Sequence, residues 1–376
     1  MSPDLRPLPA HASVDPRASA IVYCEANFGA GDGKTANGLV RHSERYDILS
    51  VIDSGHAGLD AGMVLDGVAN RIPISRDLAD ALAQAGGTPD WFIFGMAPAT
   101  GLLSVHERSI LLEAMALGMN IVNGLHEFLN DDAVFVAAAA ASDVEIVDVR
   151  RPRDKKDLRL FSGRIDTVTC PRIAVLGTDS AIGKRTTATI LTQALNERGI
   201  KAVMIGTGQT GLIQGARYGV ALDAIPSQFC SGEMEAVVVE AFEGEDPDVI
   251  VIEGQGALSH PAYLTSTFIL RGSRPDAVIL QHAPGRTRLG DFGDLPMPTP
   301  ADEIHLIETF AATKVIGLTI NHENMTDAEI TAAVTLYEAE LGIPATDALS
   351  RPTAELVSMV LAAFPEIEEP LAAGVR

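Results

Sequence analysis

The residues with the most chemical content form one unbroken segment, Gly177-Thr178-Asp179-Ser180-Ala181-Ile182-Gly183-Lys184-Arg185-Thr186-Thr187. An apolar run precedes it and a stretch with helical spacing follows. Glycine lets the backbone curl so that successive N–H groups converge. The start of a helix adds partial positive charge, and Lys184 adds a full charge on a flexible stem. The whole segment therefore reads as a socket for a pyrophosphate. The position after the lysine departs from the usual pattern. In G-x-x-x-x-G-K loops it is Ser or Thr, whose hydroxyl holds Mg²⁺. Here it is Arg185, a group that cannot ligate a metal and repels one. Thr186 and Thr187 can still touch phosphate oxygens. The socket thus suits a ligand whose phosphates are a handle, such as coenzyme A, better than ATP with magnesium. No metal ligand set is expected.

More polar residues follow other apolar runs, where ligands collect in parallel sheets. Gly206-Thr207-Gly208-Gln209-Thr210-Gly211 offers close backbone approach and the amide of Gln209. The run 249–252 ends in Glu253-Gly254-Gln255-Gly256. Glu253 stands where P-loop proteins meet magnesium, and without the loop hydroxyl it is free to accept a proton. Gln255 is a polar contact, and His260 is a second candidate base. Arg286, in Gln281-His282-Ala283-Pro284-Gly285-Arg286, can fork onto a carboxylate or phosphate. Asn321-His322-Glu323 closes the last strand and is placed to meet a base edge. Upstream, Gly29-Ala30-Gly31-Asp32-Gly33-Lys34-Thr35 imitates a phosphate loop. Its leading spacing is too short, Asp32 brings negative charge, and no G-x-G-x-x-G accompanies it, which argues against NAD. Arg41, Arg45 or Lys34 near it could meet a substrate carboxylate.

These residues need a scaffold of strands and helices. Apolar runs at 20–24, 46–52, 91–95, 120–123 and 144–149 alternate with helical spacing at 76–85 and 106–117. A second series of strands, 172–177, 202–206, 249–253, 277–280 and 314–320, alternates with helices at 184–198, 233–242, 301–312, 327–341 and 351–364. Such alternation implies parallel sheets with right-handed crossovers. The charged stretch around Arg150-Arg151-Pro152-Arg153-Asp154-Lys155-Lys156 breaks the pattern. The expected organisation is α/β in two domains. An N-terminal Rossmann-like parallel sheet covers 1–160, and a C-terminal P-loop NTPase-like doubly wound sheet covers 161–376. The Ala-rich run 133–141 reads as a buried helix, and the apolar helix near 351–363 as a surface for pairing in a homo-oligomer.

The chain has 376 residues and a formal charge of −22, which argues against nucleic acid and anionic membrane as partners. Apolar residues make up 47% and aromatics 5%, an aliphatic diet that suits parallel sheets. Cys24, Cys170 and Cys230 have no zinc or Cys-x-x-Cys spacing, consistent with reduced thiols in a cytoplasm. No signal peptide or apolar run of membrane-spanning length is seen.

Taken together, Gly-Thr-Asp-Ser-Ala-Ile-Gly-Lys-Arg-Thr-Thr, Gly-Thr-Gly-Gln-Thr-Gly, Glu-Gly-Gln-Gly-Ala-Leu-Ser-His-Pro and Ala-Pro-Gly-Arg resemble the D-glutamate N-acetyltransferase family, long catalogued as a domain of unknown function. Tyr23-Cys24-Glu25-Ala26-Asn27 and Asn123-Gly124-Leu125-His126 are similar to its Rossmann-like N-terminal domain. The resemblance implies acetyl-CoA-dependent N-acetylation of an acidic D-amino acid in D-amino-acid catabolism. It casts Glu253 or His260 as base and Lys184 as a stabiliser of developing charge. Gln209, Gln255, Arg286 and Arg41 become substrate contacts. The loop alone also resembles the G-T-D-x-x-x-G-K loop of dethiobiotin synthetase, which implies an ATP/Mg-dependent kinase or ligase instead. A third possibility is a nucleotide-sensing module without turnover.

Overall fold

The computed structural model describes residues 17–98 and 100–368. The chain folds into two compact units. Among the described residues, one holds 17–98, 100–153 and Gln209–Arg217, and the other holds Asp154–Gly208 and 218–368. The division expected at 160/161 is a single linear cut. The contacts instead send 209–217 back to the first unit.

In the first unit, strands and helices alternate as β1 (Ala18–Tyr23), α1 (Lys34–Arg41), β2 (Tyr46–Ile52), α2 (Ala61–Asp66), β3 (Ile74–Ser75), α3 (Leu78–Ala85), β4 (Trp91–Phe94), α4 (Val105–Ala116), β5 (Asn120–Asn123), α5 (Ala133–Ser142) and β6 (Ile146–Asp148). The sheet is parallel, in the order β3-β2-β1-β4-β5-β6. That is the strand order of a Rossmann sheet, built by right-handed crossovers in both directions from β1. Its core is largely aliphatic around Tyr23, Phe92 and Phe94.

One expectation for this unit is corrected. The run 133–141 is helical but mostly not buried: Phe135 is its one buried residue, Ala138 and Ala139 are partly buried against the core, and Val134 is 56% exposed. Alanine side chains are too small for their burial to hold a helix inward. Phe135 anchors it, with the Arg108 guanidinium over its ring.

The second unit runs β7 (Arg172–Gly177), α6 (Lys184–Glu197), β8 (Ala202–Gly206), then α7 (Gln209–Gln214), which belongs to the first unit. It continues through β9 (Tyr218–Gly219), α8 (Ser227–Glu245), β10 (Val249–Glu253), α9 (Thr265–Ser273), β11 (Ala277–His282), α10 (Pro300–Phe310), β12 (Lys314–Ile320), α11 (Asp327–Leu341), β13 (Ala345–Thr346) and α12 (Thr353–Ala363). Its sheet is also parallel, in the order β13-β12-β11-β7-β10-β8-β9. β7, β10, β11 and β12 read as near-continuous Val/Ile/Leu runs because both faces are covered, as two separate aliphatic clusters show. The buried residues of α12, Leu356, Val357, Met359 and Val360, face that sheet. A Cβ at Gly317 would fall 2.3 Å from Met359 Sδ. The apolar face of α12 is thus engaged within the chain, and any pairing of copies must use another surface. Among the described residues, no helix is long and apolar enough to cross a membrane.

Candidate functional site

The strand order of the second unit puts β7 between β11 and β10, so the loop leaving β7 emerges at the point where the sheet winds in opposite directions. Gly183 takes φ +105° and Ala181 φ +49°. These left-handed turns fold the loop back on itself before α6 starts at Lys184. Lys184 is 5% exposed, and its ammonium donates to the Asp179 carbonyl inside the loop. A buried lysine curled against its own loop, at a helix N-terminus, is a cation held ready for an anion.

Neighbouring strands brace the socket. Thr178 N donates to Gln281 O at 3.1 Å, and Thr178 Oγ1 meets His282 Nδ1 at 2.9 Å. Thr187 Oγ1 donates to Gln281 Oε1 at 2.6 Å, and Thr319 Oγ1 donates to the same oxygen. Asn321 Nδ2 donates to Ile182 O at 3.0 Å. Asn321 therefore supports the loop from below. The Thr187 hydroxyl is engaged with Gln281.

Asp179, within the loop, is fully buried. Its Oδ1 accepts Ser180 N at 2.7 Å and its Oδ2 accepts Gly290 N at 2.9 Å. Arg286 reaches over the loop, with Nη1 3.4 Å from both Asp179 Oδ2 and Ser180 O and Nη2 3.3 Å from Ala181 O. Its Nε and Nη2 also donate to Glu323 Oε2, at 3.0 and 2.7 Å. Arg286 thus already holds a carboxylate in the way a substrate carboxylate could be held.

Glu253 ends β10 and is 5% exposed. Its Oε2 accepts Thr207 N at 2.9 Å. Burial pushes its carboxyl above the usual carboxylate range, against the opposing fields of Arg185 and Lys184. A carboxyl raised by burial is a better proton acceptor than an ordinary one. Gln255 lies close by, its amide pressed on the glycine loop: a Cβ at Gly208 would fall 2.1 Å from Gln255 Nε2. His260 is 2% exposed, stacked on Tyr263 at 4.5 Å with Phe292 edge-on at 5.5 Å. Its Nε2 stands 3.7 Å from Asp179 Oδ1, and burial pulls its pKa down.

The structure therefore gathers Lys184, Arg185, Glu253, Gln255, His260 and Arg286 about one loop. Two expected contacts belong to the first unit. Arg41 is on α1 of the first unit and closes on Asp66, Nη2 to Oδ1 at 2.7 Å. Gln209 opens α7, and its Oε1 accepts Arg150 Nη2 at 2.7 Å within the first unit. The same helix docks through Thr210 Oγ1 on Thr35 Oγ1 at 2.8 Å and through Gln214 Nε2 on Gly38 O and His42 O, both at 2.8 Å. The reason is sequence-invisible: alternating glycines describe a permissive loop, and what claims it is a set of acceptors far away in the chain. The buried thiols of Cys170 and Cys230 are pushed up to about 11, which suppresses their nucleophilic thiolate form.

Glu303 escaped the sequence reading. It is fully buried in the first turn of α10, accepts Leu258 N at 2.6 Å and Ser259 Oγ, and so clamps the segment that carries His260. Burial raises its carboxyl as well. A glutamate in a helix's first turn is ordinarily explained by the helix dipole, and that masked it.

Two family models match the chain. The DUF1611 C-terminal model, a P-loop domain of unknown function, covers residues 159–357, and the DUF1611 N-terminal model, a Rossmann-like domain, covers 54–152. The chain belongs to the DUF1611 family. It is 31% identical over 288 residues to a D-glutamate N-acetyltransferase of Tritonibacter scottomollicae, covering 74% of this chain and 83% of that one. It is 32% identical over 267 residues to a D-glutamate N-acetyltransferase of a Pseudoalteromonas species, covering 69% and 77%. A crystal structure of a DUF1611 protein from Anabaena variabilis superposes with a TM-score of 0.85 at 31% identity, over 92% of this chain and all of that one. By class, this DUF1611 chain is an N-acetyltransferase.

Proposed function

We propose that the protein transfers the acetyl group of acetyl-CoA to the amine of an acidic D-amino acid, D-glutamate, in D-amino-acid catabolism. The observation that carries this reading is the loop itself. It offers Lys184 and Arg185 at a helix start, has an arginine where a magnesium-holding hydroxyl would stand, and faces a buried glutamate. The donor set fits the phosphates of coenzyme A. The backbone of 177–187, Lys184 and Arg185 would hold them. Both curated relatives named above support acetyl transfer to D-glutamate.

In this reading Glu253 takes a proton from the acceptor's ammonium group, since only the neutral amine is nucleophilic. Arg286 exchanges Glu323 for a carboxylate of the acceptor, and Gln255 supplies a polar contact beside it. Lys184 and the start of α6 favour negative charge at the reacting carbonyl as well as on phosphate. A cytoplasmic location fits the three buried, unpaired thiols. We place the chain there, as a homo-oligomer.

The test is calorimetry in EDTA. Acetyl-CoA should bind without added metal, and D-glutamate should then be acetylated in preference to L-glutamate. Binding of ATP alone, and only with Mg²⁺, would replace this reading with a kinase or ligase.

A further inference from the structure

A general-base role does not account for how His260 is held. Its Nδ1 accepts two main-chain hydrogen bonds, from Tyr263 N at 2.9 Å and Ala262 N at 3.1 Å. A ring nitrogen that accepts carries no proton, so the neutral imidazole bears its proton on Nε2. Burial favours that neutral ring. The charged groups whose fields reach it are Asp179, Asp291 and Lys184, and none reverses the effect of burial. Nε2 is itself buried and makes no hydrogen bond in the protein. Asp179 Oδ1, at 3.7 Å, is beyond hydrogen-bond range and already accepts Ser180 N. A buried donor without a partner is unfavourable and calls for an explanation.

The ring is not free to turn and relieve this. Tyr263 stacks on one face and Phe292 meets it edge-on. Glu303 fixes the preceding residues through Leu258 N and Ser259 Oγ. A flip would break both main-chain bonds to Nδ1.

We propose that His260 is a fixed hydrogen-bond donor to the thioester carbonyl oxygen, and not a base. This rests on the acetyl-transfer reading above. The amine nitrogen forms a bond to the carbonyl carbon, and the C=O π pair moves to oxygen, where Nε2–H meets the growing charge. Collapse restores C=O, breaks the C–S bond, and sends that electron pair out on the sulfur. Glu253 passes the ammonium proton to water before attack, takes the second proton from nitrogen as the C–N bond forms, and delivers that proton to the departing sulfur, which leaves as the free thiol. Lys184 and the α6 start serve the phosphate oxygens and add their field at the same carbonyl. A neutral donor against aromatic rings matches an oxygen that is neutral at first and charged only in the transition state.

The first test reads the ring directly. ¹⁵N-histidine NMR of the ligand-free protein should show His260 protonated at Nε2 and neutral below the usual histidine range. Protonation at Nδ1 overturns the proposal whether or not acetyl transfer occurs. The second test uses His260→Phe, which keeps the aromatic stack, and His260→Gln, which keeps an N–H. The Phe variant should lose roughly 10²–10³-fold in kcat. Its acetyl-CoA Kd and acceptor KM should stay within about threefold, and the rise of rate with pH should persist. The Gln variant should recover part of the loss. Loss of that pH rise makes His260 a base, and weaker acetyl-CoA binding at unchanged kcat makes it a phosphate contact. Either result, or no change in kcat, overturns the proposal. A wild-type protein that transfers no acetyl group sinks the acetyl-transfer reading along with it.

Discussion

Two glycine-rich turns of this chain, 29–35 and 177–187, each lead from an interior strand of a parallel sheet into a helix that begins at a lysine. Their fates differ. In the first, Gly33 keeps φ −82°, and the amides bond inward: Gly33 N to Ala30 O, Lys34 N to Gly31 O and Ala36 N to Gly95 O. Lys34 is exposed and Asp32 lies beside it at the surface. In the second, Gly183 turns to φ +105° and Lys184 is buried against the loop. The pair Gly-Lys is thus not a site by itself. What makes one is the reversed backbone before the helix, which turns the lysine and the first helical amides toward a common point.

The largest expected contrast is between the carboxylates near the two turns. Glu253→Gln keeps shape but removes the proton acceptor, and kcat should fall by roughly 10²–10⁴ with acetyl-CoA affinity little changed. Burial raises the Glu253 carboxyl, and the base works deprotonated, so the wild-type rate should climb as pH rises through that raised value. The variant should lose the climb. Asp53, near the first turn, accepts Phe28 N, Gly55 N and His56 Nδ1. Asp53→Asn should lower the melting temperature and leave kcat per folded molecule intact. A catalytic defect in Asp53→Asn with normal stability would break the comparison.

A second contrast concerns pH and stability. His282, under the second turn, is 5% exposed, and burial pulls it from 6.5 to about 4. A lowered base leaves the unfolded chain to take up the proton first. Stability is therefore fully present above pH 6.5 and is lost as pH falls toward 4. The loss is about 3 kcal/mol at about 1.4 kcal/mol per unit. Urea melts across this range should show the loss, and His282→Gln should flatten it. His56, by the first turn, has a 39% exposed side chain and meets Asp53 Oδ2 at 3.1 Å.

The lysines give the third. Lys184→Ala should weaken acetyl-CoA binding by about 1.5–3 kcal/mol, the scale of a charge-assisted hydrogen bond. Lys34→Ala should stay within about twofold. Equal effects on calorimetric Kd would erase the distinction between the turns.

Much of this contrast was legible in the residues. Strands β7, β10, β11 and β12 announce themselves as aliphatic runs because both faces are covered, and the socket follows from Gly177, Gly183 and Lys184 at a strand–helix junction. The short β3, β9 and β13 have too few residues to show a period. Helix α7 was hidden for another reason: its docking groups Gln209, Thr210 and Gln214 are polar, and their partners Arg150, Thr35 and Gly38 are distant in sequence. Arg41 looked like a spare cation only because Asp66, far along the chain, carries no local signal. Glu303 escaped because a first-turn glutamate is ordinarily explained by the helix dipole, and Asp291 because it is one carboxylate in an ordinary polar loop.

Asp291 supplies the smallest and sharpest test. Its Oδ2 accepts Ser180 Oγ at 2.9 Å, in the middle of the second turn. If phosphates occupy the second turn, this carboxylate repels them. The residue is exposed, so water and salt weaken the repulsion. Asp291→Asn keeps an oxygen for Ser180 and removes only the charge. Acetyl-CoA should then bind about two- to fivefold tighter at low ionic strength. The gain should vanish near 0.5 M salt, where the Debye length drops to about 4 Å. A gain that survives high salt would point to a rearranged loop. No gain at low salt would put the bound phosphates beyond the reach of Ser180, closer to Arg185 and the start of α6.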